Sequence, residues 1–389
     1  MKILFLSYYF EPDLCAGSFR NTSLFNEILP LLTNKDEVDV VTTQPNRYNS
    51  YNVAANELET LKKNIIINRI KIPSHKKGLI GQIKSFKKFY FESLKIVSNK
   101  KYDIVYASSS RLFTAYLGAR IANKKNAKLY LDIRDIFRET ILDIYKNPFM
   151  KFGLNALLTP IENYTFKRAN HINLISKGFI SYFEKYRNTY TFFTNGIDAV
   201  FLNSKTDHKE EEEEKKIKTI FYGGNIGEGQ GLDLIIPAVA QSLKGKYNFL
   251  VIGDGGAKEK LINVLVKKNI KNVKILPPVS RRQLIMEYKK ADYLFLHLNK
   301  HKAFERVLPS KLFEYSTFPK PIIAGVAGYA KLFLEENMEN TIIFEPCNAR
   351  ELLTKLNEYE YTQIHRKDFK NKFSREKINK EMAKTIISL

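Results

Sequence analysis

The stretch that most constrains this chain runs from Ala291 to Gly328, ADYLFLHLNKHKAFERVLPSKLFEYSTFPKPIIAGVAG. Ala291–Leu298 is short, apolar and aromatic, which is the pattern of a buried strand. A polar loop follows, and Pro309 suits the first turn of a helix, where a missing N–H costs nothing. Phe318-Pro319 then stops the helix, and Pro321–Ala324 reads as the next strand. Such a unit belongs to an α/β fold with a parallel sheet. A helix that opens at the carboxyl end of a strand offers free N–H groups and a partial positive charge, which suits a phosphate. Ser310 and Lys311 stand at that opening, and Lys311 adds a full charge. Glu314 lies three residues on, on the same face, where it could accept hydrogen bonds from a sugar diol. Phosphate plus ribose points to a nucleotide; the plainer alternative is an ordinary turn with a surface Lys–Glu pair.

The same grammar appears twice along the chain. Lys2–Tyr8 reads as a first strand, FEPDLCAGSFR as a loop with Gly17, and Ser18–Leu32 as a helix; Val38–Thr42 is the next strand. This opening is that of a doubly wound fold, and the loop after its first strand is where such folds bind ligands. The loop lacks the G-x-G-x-x-G spacing of a dinucleotide site. Strands continue at Asp103–Ala107, Lys128–Leu131 and His171–Ile175. Between the last two, LDIRDIFRE places Arg134 and Asp135 just past a strand. After the turn TNGID, the polar run KTDHKEEEEEKKIK has no periodicity and reads as a linker. The second half restarts with Thr219–Tyr222 and the glycine-rich GGNIGEGQG, ahead of a helix from about Leu232. Phe249–Ile252 leads into Gly253-Asp254-Gly255-Gly256, and Val273–Ile275 is a further strand. Each glycine run alone fits a flexible loop. Two such turns together with Pro309–Glu314, on one sheet edge, favour a phosphate site. The expected organisation is a first domain over 1–200, a linker over 201–218, a second domain over 219–365 and a C-terminal helical segment over 366–389.

The chain's 389 residues exceed one small core, and 44% apolar residues suffice for two. Two cysteines, Cys15 and Cys347, make no disulfide framework, so a reducing compartment is expected. No apolar run reaches the length of a membrane span, and the N-terminal KILFLSYYF is too short for a secretory signal. The net charge is +22, from 63 Lys+Arg against 41 Asp+Glu, so anionic partners are expected unless the lysines only reflect an AT-rich genome. There is no zinc pattern, helix-turn-helix signature or RNP-type motif. Residues Glu59–Lys101 carry twelve Lys or Arg and two acids. Within them Ile83, Phe86, Phe89, Tyr90, Leu94 and Val97 recur at helical spacing among Lys84, Lys87, Lys88 and Lys95. This stretch fits equally a membrane-surface helix and a helix packed on its own domain with a solvated lysine face.

Taken together, EPDLCAGSFR, TNGID, YGGNIGEGQG, VIGDGG, ADYLFL and PSKLFEY resemble the retaining glycosyltransferases of family 4, and within them the WbuB-like subgroup of O-antigen and capsule enzymes. The resemblance covers nearly the whole chain and implies the GT-B fold: two Rossmann-like domains facing a cleft, with the C-terminal helix crossing back to the first. It implies a metal-independent bacterial enzyme without a cofactor, transferring a sugar, an N-acetylated hexosamine or deoxyhexosamine, from a UDP-sugar to a polyprenyl-diphosphate-linked saccharide. The enzyme would sit peripherally on the cytoplasmic face of an anionic inner membrane, in surface polysaccharide synthesis, with no nucleic acid partner. Carried over by position, Glu314 would bind the donor ribose, the amides of Leu312 and Phe313 would face the diphosphate, Gly17 would approach it from the first domain, and Gly253 and Gly255 would lie near the base.

The chain also departs from the family pattern. Arg306 stands where the first glutamate of the family's E-x7-E motif is expected. Neutral Asn225 and Gln230, in the turn with Gly224 and Gly227, occupy the positions of the usual arginine and lysine. Arg134 falls near the usual histidine. Lys311 is then the expected replacement for the missing cations on the leaving diphosphate. Asp135 is the candidate for orienting the acceptor hydroxyl, unless it pairs with Arg134 or Arg138. The absence of D-x-D argues against a metal held in that way. Cys15 reads as filler rather than nucleophile. Two rivals remain: a nucleotide-sugar 2-epimerase of the same architecture, and a basic nucleic-acid binder.

Overall fold

A computed structural model describes residues 1–46, 53–73, 79–109, 112–144, 147–203 and 217–389. The chain divides into two compact units, Met1–Asn195 with Glu376–Leu389, and Gly196–Arg375. Most of the expected linker lies outside the described residues. The first division falls inside the TNGID turn.

Unit 1 is built on β1 (Lys2–Leu6), β2 (Glu37–Thr43), β3 (Leu58–Lys62), β4 (Ile65–Ile70), β5 (Ile104–Ser108), β6 (Lys128–Ile133), β7 (His171–Leu174) and β8 (Thr189–Thr191). They lie in the order β3-β4-β2-β1-β5-β6-β7-β8. All neighbours are parallel except β3 and β4. The chain steps one way from β1 to β2 and the other way from β5 to β8, so the order reverses between β1 and β5. Because crossovers are right-handed, α1 (Ala16–Ile28) covers one face of the sheet. The helices α2 (Leu79–Ile96), α3 (Leu112–Lys125) and α5 (Pro148–Arg168) cover the other, with α4 (Phe137–Ile144) beside α5. On the first face Ile3, Phe5, Val38 and Val40 meet Leu24 and Phe25 of α1 and Met382, Ala383 and Ile386 of the C-terminal helix Arg375–Ile387. That helix therefore completes the core of unit 1.

The buried residues Ser85, Phe89 and Ser93 of α2, with Val97 just past its end, step by four and seat the helix on its own unit. Lys84, Lys87, Lys88 and Lys95 are exposed, as are Ile83 and Phe91. On α5, Leu158, Glu162, Thr165 and Phe166 face inward. The opposite face of its first half is apolar yet bare, with Phe149 89% and Phe152 78% exposed and Leu157 exposed beside them.

Unit 2 is built on β9 (Lys218–Asn225), β10 (Tyr247–Asp254), β11 (Val273–Leu276), β12 (Tyr293–His297), β13 (Ile322–Gly325) and β14 (Thr341–Phe344). Their order is β11-β10-β9-β12-β13-β14, all parallel. Here the order reverses between β9 and β12. Alternate strand residues such as Ile220, Tyr222, Phe249, Val251, Tyr293 and Phe295 pack with Ile235 and Val239 of the helix Leu232–Ser242. In open α/β sheets the crevice at such a reversal, beyond the carboxyl ends of the strands, is where ligands bind. The turns after β9 and β12 are the ones singled out in the sequence.

Candidate functional site

Three turns converge beyond the carboxyl ends of β9, β10 and β12. Gly224 closes β9 with φ +150°, and a Cβ there would overlap the Lys311 side chain. Lys311 thus lies across the bare backbone of Gly224, an approach only glycine permits. A Cβ on Gly253 would overlap the carbonyl of Gly224, and one on Gly255 the carbonyl of Ile226. The β10 turn is in this way pressed backbone to backbone against the β9 turn. Ile226 N donates to Asp254 O at 2.9 Å, fixing the contact. Asn225 and Gln230 are bonded to one another, Nδ2 to Oε1 at 2.7 Å, and the same Oε1 accepts from Gly227 N at 3.2 Å. They brace the turn.

Lys311 Nζ is 3.9 Å from Glu314 Oε2, with both side chains largely shielded. Tyr288, fully buried, donates its hydroxyl to the same oxygen at 2.9 Å. Burial and the Glu314 charge push the Tyr288 hydroxyl well above the ordinary tyrosine range, so it is always a donor here. Both of these contacts go to Oε2, and no partner of Oε1 is seen among the described residues.

One expectation needs correction. The helix Lys311–Tyr315 has Ser310 as its N-cap and follows a tight turn that begins at Pro309, and the side chains of Leu312 and Phe313 are buried. The amides of Leu312 and Phe313 donate to Pro309 O and Ser310 O, both at 3.2 Å. The tight first turn consumes them, because i to i+3 bonds satisfy the N–H groups that a wider α-turn leaves open. In this turn, no hydrogen bond from the amides of Ser310 and Lys311 is seen among the described residues. With five residues the helix has little macrodipole, so Lys311 supplies most of the positive charge.

In unit 1 the carboxyl edge carries Gly17, Arg134 and Asp135. Cys15 caps α1, its sulfur accepting from Ser18 N at 3.4 Å, which is a structural task. Gly17 leaves room for Arg134: a Cβ would sit 2.7 Å from Nη1. Asp135 accepts from Thr140 Oγ1 at 3.1 Å, and burial raises its pKa. Among the described residues no ion pair within 4 Å joins it to Arg134 or Arg138, although the nearby Arg134 charge favours its ionised form. Arg138 is engaged by Glu162 at 3.2 Å and by Tyr182 and Asn155.

Several structural supports escaped the sequence reading. Arg20 and Asp132, both fully buried, form a two-point pair at 2.8 and 3.0 Å. Arg20 also donates to Thr194 O and Phe193 O, so it ties α1 to the end of β8. Burial opposes the charge on Asp132, but the Arg20 guanidinium wins and lowers its pKa. The available signal was one acid inside the apolar strand KLYLDI. His297, fully buried at the end of β12, sets its ring nitrogens 2.6 Å from Gln230 O and 2.9 Å from Cys347 N. The carbonyl fixes Nδ1–H as a donor and Nε2 as an acceptor. Burial lowers its pKa to about 4. In TNGID, Asp198 binds both Arg281 and Arg375 at 2.7 Å.

Residues 203–375 match the family model described as glycosyl transferases group 1. The chain is 36% identical over 95 residues to the putative colanic acid biosynthesis glycosyl transferase WcaI of Escherichia coli, covering 24% of this chain and 23% of that one. It is 26% identical over 206 residues to the uncharacterized glycosyltransferase MJ1178 of Methanocaldococcus jannaschii, covering 50% of this chain and 52% of that one. The matches thus span at most about half the length of either relative. Among solved structures, Anabaena Alr3699/HepE in complex with UDP-glucose superposes with a TM-score of 0.68 at 16% identity over all of both chains. Sucrose-phosphate synthase from Thermosynechococcus elongatus superposes with a TM-score of 0.66 at 11% identity, over 99% of this chain and 94% of that one. The two-unit α/β architecture with parallel sheets is the GT-B fold of these glycosyltransferase neighbours.

Proposed function

We propose that the chain is a retaining, metal-independent glycosyltransferase of the family 4 type, nearest the WbuB-like subgroup. Its donor is a UDP-linked sugar, with an N-acetylated hexosamine or deoxyhexosamine as the transferred group, and its acceptor a polyprenyl-diphosphate-linked saccharide of surface polysaccharide synthesis. The observation that carries this reading is the meeting of Lys311, Glu314 and the bare Gly224 backbone at the sheet reversal between β9 and β12. Glu314 Oε1 receives the ribose diol. Lys311 Nζ, with the amides of Ser310 and Lys311, faces the diphosphate, on whose β-phosphate negative charge grows as the sugar leaves. Donors held in place before the reaction stabilise that charge without reorganising. Asp135, at the edge of unit 1, orients the acceptor hydroxyl, and the upward push of burial on its pKa makes it a better proton acceptor than an ordinary carboxylate. The UDP-glucose complex of the Alr3699/HepE neighbour supports the choice of nucleotide. The match to WcaI supports polysaccharide synthesis.

The test is a thermal-unfolding panel of nucleotides and nucleotide sugars on wild type and Glu314→Gln, because a ligand bound by the folded state alone raises the melting temperature. UDP should raise it in wild type and much less in the variant. Equal shifts in both proteins would remove the nucleotide from this site. Product analysis with a metal chelator present then tests chemistry. Transfer with retained anomeric configuration is expected, whereas a 2-epimer formed without acceptor would replace the transferase reading with an epimerase.

A further inference from the structure

Three tyrosines stand around Lys311 and Glu314, and they spend their hydroxyls differently. Tyr222 donates to Asn225 O at 2.6 Å and Tyr315 to Phe295 O at 3.1 Å. Both bonds go to the main chain, the usual outlet for a buried hydroxyl. Tyr288 donates instead to a carboxylate oxygen, Glu314 Oε2, at 2.9 Å. It does so from the helix Arg281–Lys290, with its ring fully buried. The ring centroids of Phe221, Tyr315 and Phe318 lie 5.2, 5.3 and 5.2 Å away. Packing on that scale fixes the hydroxyl before any ligand arrives.

The oxygen that Tyr288 holds is also the one nearest Lys311. Nζ lies 3.9 Å from Oε2, beyond hydrogen-bond reach, and both side chains are largely shielded from water. A lysine and a glutamate one helical turn apart attract each other more strongly as water is excluded, so these two have every reason to close. Two contacts oppose that closure. Lys311 lies over Gly224, where a Cβ would come within 2.7 Å of Nζ, with the rings of Tyr315 and Tyr222 at 5.9 and 6.0 Å. Glu314 is drawn the other way by the Tyr288 hydroxyl. A closed pair would cancel both charges and leave neither for a ligand.

We infer that Tyr288 is a positioning residue: by holding Oε2 it keeps Glu314 and Lys311 from closing into an ion pair and leaves both charges to the nucleotide. This rests on the reading of Glu314 and Lys311 as the ribose and diphosphate contacts. Tyr288 acts through Glu314 and not on the ligand. The Tyr222 and Tyr315 hydroxyls cannot replace it, since each is committed to a carbonyl.

The test uses Tyr288→Phe, which removes the hydroxyl and keeps the ring and its packing. In a crystal structure of this variant without ligand, Nζ and Oε2 should close to about 2.8 Å, the length of a charged hydrogen bond. UDP binding is then followed by calorimetry in wild type, Tyr288→Phe, Lys311→Ala and the double variant. Tyr288→Phe should weaken UDP about tenfold in the wild-type background, the scale of one hydrogen bond to a charged group. In the Lys311→Ala background the same change should cost less than about threefold, because no ammonium group remains for Glu314 to capture. A tyrosine that merely supports the fold would weaken binding by the same factor in both backgrounds. Equal factors, or a Tyr288→Phe structure with Nζ and Oε2 as far apart as in wild type, overturns the inference. If UDP does not bind wild type, the nucleotide reading fails, and the distance in the variant structure still decides whether Tyr288 holds the two charges apart.

Discussion

At the scale of single residues, the site depends on how each charge is compensated. Lys311 has Glu314 at 3.9 Å, too far for a tight pair, so its ammonium group remains available to a phosphate. Lys311→Ala should lower the turnover of a UDP-sugar by about 10²–10³, the usual cost of one preorganised donor on a developing oxyanion. Steady-state kinetics that stayed within about threefold of wild type would assign the leaving-group charge elsewhere. His297 is the opposite case, a buried ring kept neutral. Its folded pKa of about 4 lies below the ordinary value of 6.5. The unfolded chain therefore binds the proton first as pH falls, and stability present above pH 6.5 is lost progressively toward pH 4. A shift of this size corresponds to roughly 3 kcal/mol over the window. Urea midpoints measured at pH 7 and pH 5 should show part of this loss in wild type. His297→Gln should lack that portion of the slope, while carboxylates with lowered pKa, such as Asp198, act at lower pH. An unchanged slope in the variant would show that the ring does not carry it.

At the scale of elements, the site is a matter of turns fitted to one another. Gly253 admits the carbonyl of Gly224, so Gly253→Ala should push the β9 and β10 turns apart. The expected cost is about 1–3 kcal/mol, as for other overpacking changes, with a weaker UDP response. Gly256→Ala, whose Cβ would meet nothing within 4 Å, should be near neutral in the same melting experiment. Equal effects of the two substitutions would remove the packing argument. This layer also marks how far sequence could be read. The strands were legible because buried parallel strands are continuous apolar runs, as in ADYLFLHL and HINLI. The glycine turns, Lys311 and Glu314 were legible because they follow such strands directly. Pro309 and Ser310 were legible as the opening of the Lys311–Tyr315 helix, whereas the i to i+3 bonds that occupy the amides of Leu312 and Phe313 were not, because nothing local distinguishes a tight first turn from a wider one. Arg20 and His297 were not legible: nothing local tells a buried, fully bonded arginine or histidine from one at the surface. Asn225 and Gln230 stood out as absent cations, whereas their mutual bond is a tertiary fact.

At the scale of the whole molecule, a net charge of +22 must be set beside where apolar surface is left bare. In unit 1, α2 and α5 lie on the same face of the sheet, and each begins near its carboxyl edge. The first half of α2 presents Lys84, Lys87 and Lys88 with exposed Ile83, and the first half of α5 presents Phe149, Phe152 and Leu157. Exposed rings and lysines on one sheet face fit the expected docking on an anionic bilayer, which takes rings into its interface and lysines among its headgroups. No described helix is long and apolar enough to cross a membrane, so any such attachment is lateral. Each basic residue near an anionic leaflet contributes about 1 kcal/mol. Replacing Lys84, Lys87 and Lys88 by serine should therefore weaken binding to phosphatidylserine-containing vesicles by roughly 100-fold. Phe149→Ser with Phe152→Ser should weaken it further, and unlike the lysine effect this loss should persist at high salt, since Debye screening leaves apolar insertion intact. Sedimentation with neutral and anionic vesicles at two ionic strengths separates these contributions. Equal binding of wild type to neutral and anionic vesicles would show that the lysine face has no part in docking. No binding to either would leave α2 as a helix packed on its own unit with a solvated lysine face.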